Sequence, residues 1–287
     1  MASRLAGCSS RLRQELCARN AAFARENHLS HVESYGSTPV IVYAPEEDGK
    51  RHGNFFAASY AAVLKRPEWA RRLNKIHSRG RKSLPAADRK WRELDSSMSS
   101  DALLMNIFCC PGVCSSQSVA SLLGTDTTDV PEFGCKARVP LLSSRTDQTE
   151  VDLTLGRLFV EAKLTEGDFQ KKNPAVVESY RDLNKVFDVE ALPRSGNQYI
   201  SYQLIRNVLA AHASDASFCV IADARRPDLI EAWHAIMRCV RYAELRTRCK
   251  VLTWQELSAV LPGKLQQFLA AKYGIVPPHP LSSFAYA

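Results

Sequence analysis

Apolar residues recur at helical spacing in several stretches of this chain, and in others the period shortens to two. Residues 11–29 and 54–79 carry their apolar side chains on one face, the second interrupted at Pro67, and both are expected as helices. At 99–108 (SSDALLMNIF), Leu103, Leu104, Ile107 and Phe108 share a face behind Ser99 or Ser100 as a cap. Residues 111–134 read as a helix fragment followed by a turn-rich loop. Strands are then expected at 136–142, 151–155 and 158–164, the last two separated only by Gly156-Arg157. A helix over 197–213 buries Leu204, Ile205, Val208 and Leu209 and shows Gln203, Arg206 and Asn207 on another face. The apolar run at 218–223 reads as a buried strand. A helix opened by Pro227 spans 227–246, a last strand 250–254, and a helix with Thr253 and Glu256 as a capping box 254–272. From residue 99 the order is helix, three strands, helix, strand, so the class is α/β, with no internal repeat.

The hairpin at 151–164 breaks its own pattern. A two-residue loop with Gly first favours a type II′ turn. If Leu155 and Leu158 close it, Asp152 stands opposite Glu161, with Cβ atoms about 4.5–5.5 Å apart. Lys163, two residues beyond Glu161, points to the same face. Like charges placed opposite each other destabilise a strand pair unless something positive lies between them, and a divalent cation meets that need. The bland alternative is a surface hairpin with a Glu–Lys pair, worth about 0–1 kcal/mol. The apolar character of Leu153, Leu155, Phe159 and Val160 argues against it.

Charge adds a second feature. The net charge of +8 lies wholly in the first 100 residues, since residues 101–287 hold 20 basic and 20 acidic side chains. Within 65–92 stand Lys65, Arg66, Arg71, Arg72, Lys75, Arg79, Arg81, Lys82, Arg89, Lys90 and Arg92 against only Glu68 and Asp88. A one-signed cluster of this kind is a footprint for polyanions, although a solvated helix face is the simpler account of charge runs in general. Arg71, Arg72, Lys75, Arg79, Arg81 and Lys82 are the expected phosphate contacts.

Asp152, then eight residues, then Glu161-Ala162-Lys163, on a hairpin within an αβββαβ order, resembles the PD-(D/E)XK nuclease superfamily over residues 95–225. Val151 stands where the motif's Pro would be. The resemblance implies a restriction-endonuclease-like fold: an αβββαβ core with a mixed central sheet flanked by helices, here with a helical N-terminal extension. Outside the resemblance, the chain's own pattern gives a basic helical region at 1–94, expected to pack on a core placed at 95–272, and an irregular tail at 273–287. The resemblance also implies a Mg²⁺-dependent nuclease, with Mn²⁺ as a substitute. Asp152, Glu161, the carbonyl of Ala162 and Asp101 (Asp95 second) would be its metal ligands. Asp152, Glu161, Lys163 and Gln203 would be its catalytic set, and Arg206 a further nucleic-acid contact. The expected partner is DNA, with RNA as the alternative and a homodimer left open. A non-catalytic nucleic-acid-binding protein that keeps the fold is the rival reading, and the intact Asp–Glu–Lys set weighs against it.

Little else competes. Nine cysteines, an odd number in a chain of this size, suggest free thiols and a cytoplasmic setting. Cys109, Cys110, Cys114 and Cys135 cluster, but in no spacing known for zinc or iron–sulfur sites, so packing as small hydrophobes is the preferred reading. His52, His77, His212, His234 and His279 show no paired ligand spacing. Arg225 and Arg226 in DARRPD could meet DNA, but a turn after a buried strand explains them more simply. GxSxG, Walker A and GxGxxG patterns are absent, which disfavours a serine hydrolase, an NTPase and a dinucleotide enzyme. No apolar run is long enough to cross a membrane as a helix.

Overall fold

The computed structural model describes residues 7–34, 39–76 and 90–278. The N-terminal part begins with helix α1 (Cys8–Glu26), followed by a two-stranded ribbon of β1 (His31–Ser34) and β2 (Val40–Tyr43). Helices α2 (Ala57–Lys65) and α3 (Pro67–Ala70) follow, separated at Pro67, and a 3₁₀ turn over Arg71–Asn74 continues α3. A second 3₁₀ turn, Glu93–Asp95, leads to α4 (Ser100–Phe108), where Ser99 accepts the amide of Ala102 at 3.1 Å and caps the helix as its sequence requires. Helix α5 (Gln117–Leu123) ends at Gly124 in the left-handed region.

Strands β3 (Pro131–Lys136), β4 (Glu150–Leu155) and β5 (Leu158–Ala162) form an antiparallel meander. Two short helices, α6 (Pro174–Val177) and α7 (Leu183–Val186), and a ribbon of β6 (Arg194–Ser195) and β7 (Gln198–Tyr199) precede α8 (Tyr202–Ala213). Strand β8 (Ser217–Ala222) then joins the sheet parallel to β5. After α9 (Pro227–Met237) and α10 (Ala243–Thr247), β9 (Cys249–Thr253) lies parallel to β8. Helices α11 (Trp254–Ser258) and α12 (Gly263–Tyr273) close the described chain. The central sheet is therefore mixed and five-stranded, in the order β3-β4-β5-β8-β9. The expected succession of helix, three strands, helix and strand is α4, β3, β4, β5, α8 and β8.

Alternation along the strands gives each sheet face its own core. Leu153, Val160 and Ile221 pack with Leu103, Leu104 and Ile107 of α4 on one face. Leu12 and Leu16 of α1, with Leu265 and Leu269 of α12, belong to that same core. On the other face Phe218 and Val220 meet Leu204, Ile205 and Leu209 of α8 and Trp233 of α9. Each such side chain contributes about 1.5–3 kcal/mol by leaving water.

Five stretches depart from the sequence expectation. The first sheet strand is 131–136, not 136–142: Pro140 has no N–H to give a ladder, and Arg138 turns the chain with φ +52°. Leu141 and Pro140 instead make isolated bridges to Tyr180 and Thr146. Helix α8 starts only at Tyr202, because Ser201 is left-handed at φ +60°. The stretches 227–246 and 254–272 are each two helices, the second divided before Gly263 at Pro262. The β1–β2 ribbon was not expected, since VIVY alone is too short to separate a strand from a buried helical turn.

Candidate active site

The turn between β4 and β5 has Gly156 at φ +55° and no positive φ at Arg157, which excludes a type I′ turn and fits type II′. A Cβ at Gly156 would also collide with the Asp129 carboxylate. The register follows from this turn: Leu155 opposite Leu158, Thr154 opposite Phe159 and Leu153 opposite Val160. The ladder stops there. At the next position the Asp152 carboxylate replaces a backbone partner and accepts the amide of Ala162 at 2.8 Å.

Glu161 is 1% exposed, and both its oxygens are occupied. Oε1 accepts Lys163 Nζ at 2.8 Å and Gln203 Nε2 at 2.5 Å, and Oε2 accepts Asn207 Nδ2 at 2.8 Å. Arg206 Nη2 stands 3.8 Å from Oε2. Burial alone would raise the Glu161 carboxyl, but Lys163 and Arg206 outweigh it and hold the group below its ordinary range. Burial would likewise lower Lys163, yet Glu161, Glu166 and Asp152 raise it and keep the ammonium charged. Lys163 also donates to Gln203 Oε1 at 2.9 Å, so the Gln203 amide bridges lysine and glutamate. Gln203 is fixed at the start of α8, where the amides of Tyr202 and Gln203 donate to the carbonyls of Gln170 and Phe169.

Asp152 is different. It is half-buried, and its only hydrogen bond among the described residues is the Ala162 amide. Its crowded surroundings, then the charges of Glu161 and Asp101, push its carboxyl well above the ordinary range, and Lys163 offsets only part. Asp152 is therefore the carboxylate of the pair with no cation in hydrogen-bond contact among the described residues. Among the described residues no three His, Cys, Asp or Glu side chains converge as a closed metal cage. The oxygen donors of Asp152 and Glu161 fit a hard divalent cation of the kind that takes one or two carboxylates and keeps several waters. Asp101, expected as a further ligand, is 4% exposed, and its Oδ2 is held by Arg72 at 2.9 Å and Lys75 at 2.5 Å. The second choice, Asp95, bonds His52 Nε2 at 3.1 Å in the N-terminal part.

The expected nucleic-acid contacts divide into four groups. Arg79, Arg81 and Lys82 lie outside the described residues. Arg71 is exposed on the 3₁₀ turn after α3. Arg72 and Lys75 are engaged with acids instead: Arg72 bridges Asp101 and Glu150, and Lys75 bridges Asp101 and Glu93. Arg206 needs correcting as a surface contact. It is 3% exposed, and its guanidinium donates to Asn207 Oδ1 and the Glu150 carbonyl, because α8 turns that face into the site. Arg225 and Arg226 serve the turn. Arg226 is fully buried and donates to the carbonyls of Leu164, Glu166 and Gly167. Cys109 and Cys110 are buried, and burial pushes the Cys114 thiol up to about 11.

Some residues of the site carried no motif. Asn207 was visible one turn after Gln203 on the same helix face, and that spacing was its only signal. Trp254 Nε1 donates to the Lys163 carbonyl at 2.9 Å, and with Arg226 it ties down the chain that leaves the lysine. Nothing local in the sequence links positions 163 and 254.

No curated protein and no solved structure matches this chain. The family model described as "Restriction Endonuclease associating with ARP" matches residues 19–274, a span that holds the whole sheet, the hairpin and α8. The mixed sheet with flanking helices is accordingly a restriction-endonuclease-like fold, and the chain belongs to the family of restriction endonucleases associating with ARP.

Proposed function

We propose that this chain is a Mg²⁺-dependent phosphodiester hydrolase of the PD-(D/E)XK type acting on DNA, with Mn²⁺ able to substitute. The observation that carries the reading is the inequality of the hairpin carboxylates. Glu161 is held by Lys163 and two amides with Arg206 close by, whereas Asp152 has no cation in hydrogen-bond contact among the described residues. A protein gains nothing in stability from that arrangement.

Held by Asp152 and Glu161, with the Ala162 carbonyl beside them, Mg²⁺ would supply a Lewis acid that makes bound water a better nucleophile and offsets charge on the phosphoryl group. The remaining roles belong to side chains. Asn207 and Gln203 fix the Glu161 carboxylate, so it need not reorganise when a ligand arrives. Lys163 spends two donors on Glu161 and Gln203 and has a third for a water or a phosphate oxygen. As a charged ammonium it acts by electrostatic stabilisation and orientation. Arg206 keeps α8 against the start of β4 through the Glu150 carbonyl.

The test is incubation of purified protein with supercoiled plasmid, linear duplex, single-stranded DNA and RNA, each in Mg²⁺ or EDTA, beside Asp152→Asn. DNA should be cut only with the metal, and Asp152→Asn should slow cutting by at least about a hundredfold. Cutting that survives both EDTA and the substitution would remove the metal-hydrolase reading, and cutting of RNA alone would replace the substrate.

A further inference from the structure

The N-terminal cations meet the acidic centre at one place. Arg72 Nη2 and Lys75 Nζ both contact Oδ2 of Asp101, at 2.9 Å and 2.5 Å. Arg72 also reaches Glu150 at 2.9 Å, at the first residue of β4, and Lys75 reaches Glu93 at 2.8 Å. Asp101 is near enough to Asp152 to raise its carboxyl, and Asp152 in turn acts on Arg72. The cations thus stand behind one acid of the cluster that includes Asp152.

The sheet makes room for this contact. Strand β3 pairs with β4 in regular register from Pro131 opposite Leu155 to Lys136 opposite Glu150, with one missing pair. That position is Gly134, which the register sets opposite Asp152. Gly134 is at φ +68°, and a Cβ there would collide with Nη1 of Arg72 and lie 2.9 Å from Cζ. The guanidinium occupies space that only glycine leaves open, beside the half-buried carboxylate. The Nε of Arg72 is buried with no partner among the described residues, so holding the arginine here is not free of cost.

We infer that Arg72 and Lys75 form a cation clamp on Asp101 that competes with a divalent cation for the acidic centre and opens when nucleic-acid phosphate takes up the two cations. The inference rests on the metal-hydrolase reading for its first half only. With the clamp closed, Asp101 faces two positive charges that repel a dication, and the two cations are withheld from a polyanion. With phosphate in place of Asp101 as their partner, both restraints lift together. Metal and nucleic acid would then favour each other's binding, as linkage requires of two ligands that prefer the same state.

Two measurements without turnover test this. Calorimetry with Mn²⁺ and no nucleic acid compares the natural protein with Lys75→Met and, as a second variant, Arg72→Gln. Both should bind Mn²⁺ about three- to tenfold more tightly, the scale expected from removing one charge several ångströms away. Unchanged or weaker binding in both folded variants would overturn the competition. Fluorescence anisotropy of a short duplex in EDTA compares Lys75→Met, Asp101→Asn and the double variant. Asp101→Asn should bind the duplex more tightly, and Lys75→Met should cost more affinity in the Asp101→Asn background than in the natural one, where the lysine is occupied. Additive effects would overturn the clamp, because they would describe only a change in net charge. If no variant binds Mn²⁺, the hydrolase reading and the competition fall, while the anisotropy cycle still judges the withheld cations.

Discussion

Lys163 and Lys272 are both buried, one at the hairpin and one where α12 meets α1, and their surroundings act on them in opposite directions. Lys163 contacts a carboxylate, which raises it. Lys272 contacts none: its Nζ donates to Asn20 Oδ1 at 2.8 Å and the Gly53 carbonyl at 3.3 Å, and lies 3.7 Å from the centre of the Tyr43 ring. Burial without a counter-ion pushes Lys272 well below the usual lysine range. Equal burial therefore says nothing about role. What separates the two regions is that the hairpin gathers charges together, whereas the helix junction solves a packing problem with one long side chain and neutral partners.

The largest effect that could break this contrast is on stability. Lys163→Met leaves Glu161 buried with only amide donors in contact and Arg206 at 3.8 Å, and removing one partner of a buried pair typically costs about 3–5 kcal/mol. Lys272→Met strands no carboxylate and keeps a long unbranched chain in the space, so the protein should be as stable as before or more so. Denaturant unfolding of both variants in EDTA measures the difference. An equal cost at the two positions would erase the distinction.

Next in size is the response to pH. A lysine held low when folded binds fewer protons than its unfolded counterpart, whose ordinary pKa is about 10.4, so stability rises as pH climbs towards that value. The slope is at most about 1.4 kcal/mol per pH unit for one proton. Buried thiols such as Cys109 and Cys249, raised by desolvation, contribute with the opposite sign in the same range. The useful quantity is thus the difference between the natural protein and Lys272→Met from pH 7 to 9, in which the thiols cancel. It should shrink as pH rises. A constant difference would mean that Lys272 stays charged in the fold.

The same contrast shows what the sequence could convey. The hairpin was legible because its determinants are local: Gly156-Arg157 chose the turn, and the turn chose the register as far as Leu153 opposite Val160. After that the expected pairing of Asp152 with Glu161 gives way to the Asp152 carboxylate on the Ala162 amide. Helix α4 and its Ser99 cap, and the box of Thr253 with Glu256, were legible for the same reason. Arg206 was read as a surface cation because helical periodicity separates faces but does not say that a polar face can be buried against a second polar group. Lys272 gave no signal at all, since its partners Asn20 and Tyr43 lie more than 200 residues away in sequence. The strand at 131–136 was missed because its pairing with β4, and not its own composition, makes it a strand.

The smallest expected effect sharpens the comparison within the hairpin itself. Asp152 is the acidic counterpart of Lys272: a charge in crowded surroundings with no counter-ion in contact. Unlike Lys272 it is half-open to solvent and stands among other acids, an arrangement that stability alone does not favour. Asp152→Asn keeps a carbonyl oxygen to accept the Ala162 amide and removes the repulsion from Glu161 and Asp101. In EDTA the variant should therefore be more stable than the natural protein by about 1 kcal/mol, the usual scale of relieving a functional strain, or roughly 2–4 °C in Tm. Saturating Mn²⁺ should reverse the order, because a ligand that binds only the folded state raises the natural protein's Tm and finds one carboxylate fewer in the variant. Thermal melts of both proteins, with and without Mn²⁺, give the four numbers needed. A variant that melts lower in EDTA would show that Asp152 holds the hairpin together, and its lack of a counter-ion would then say nothing of a cation.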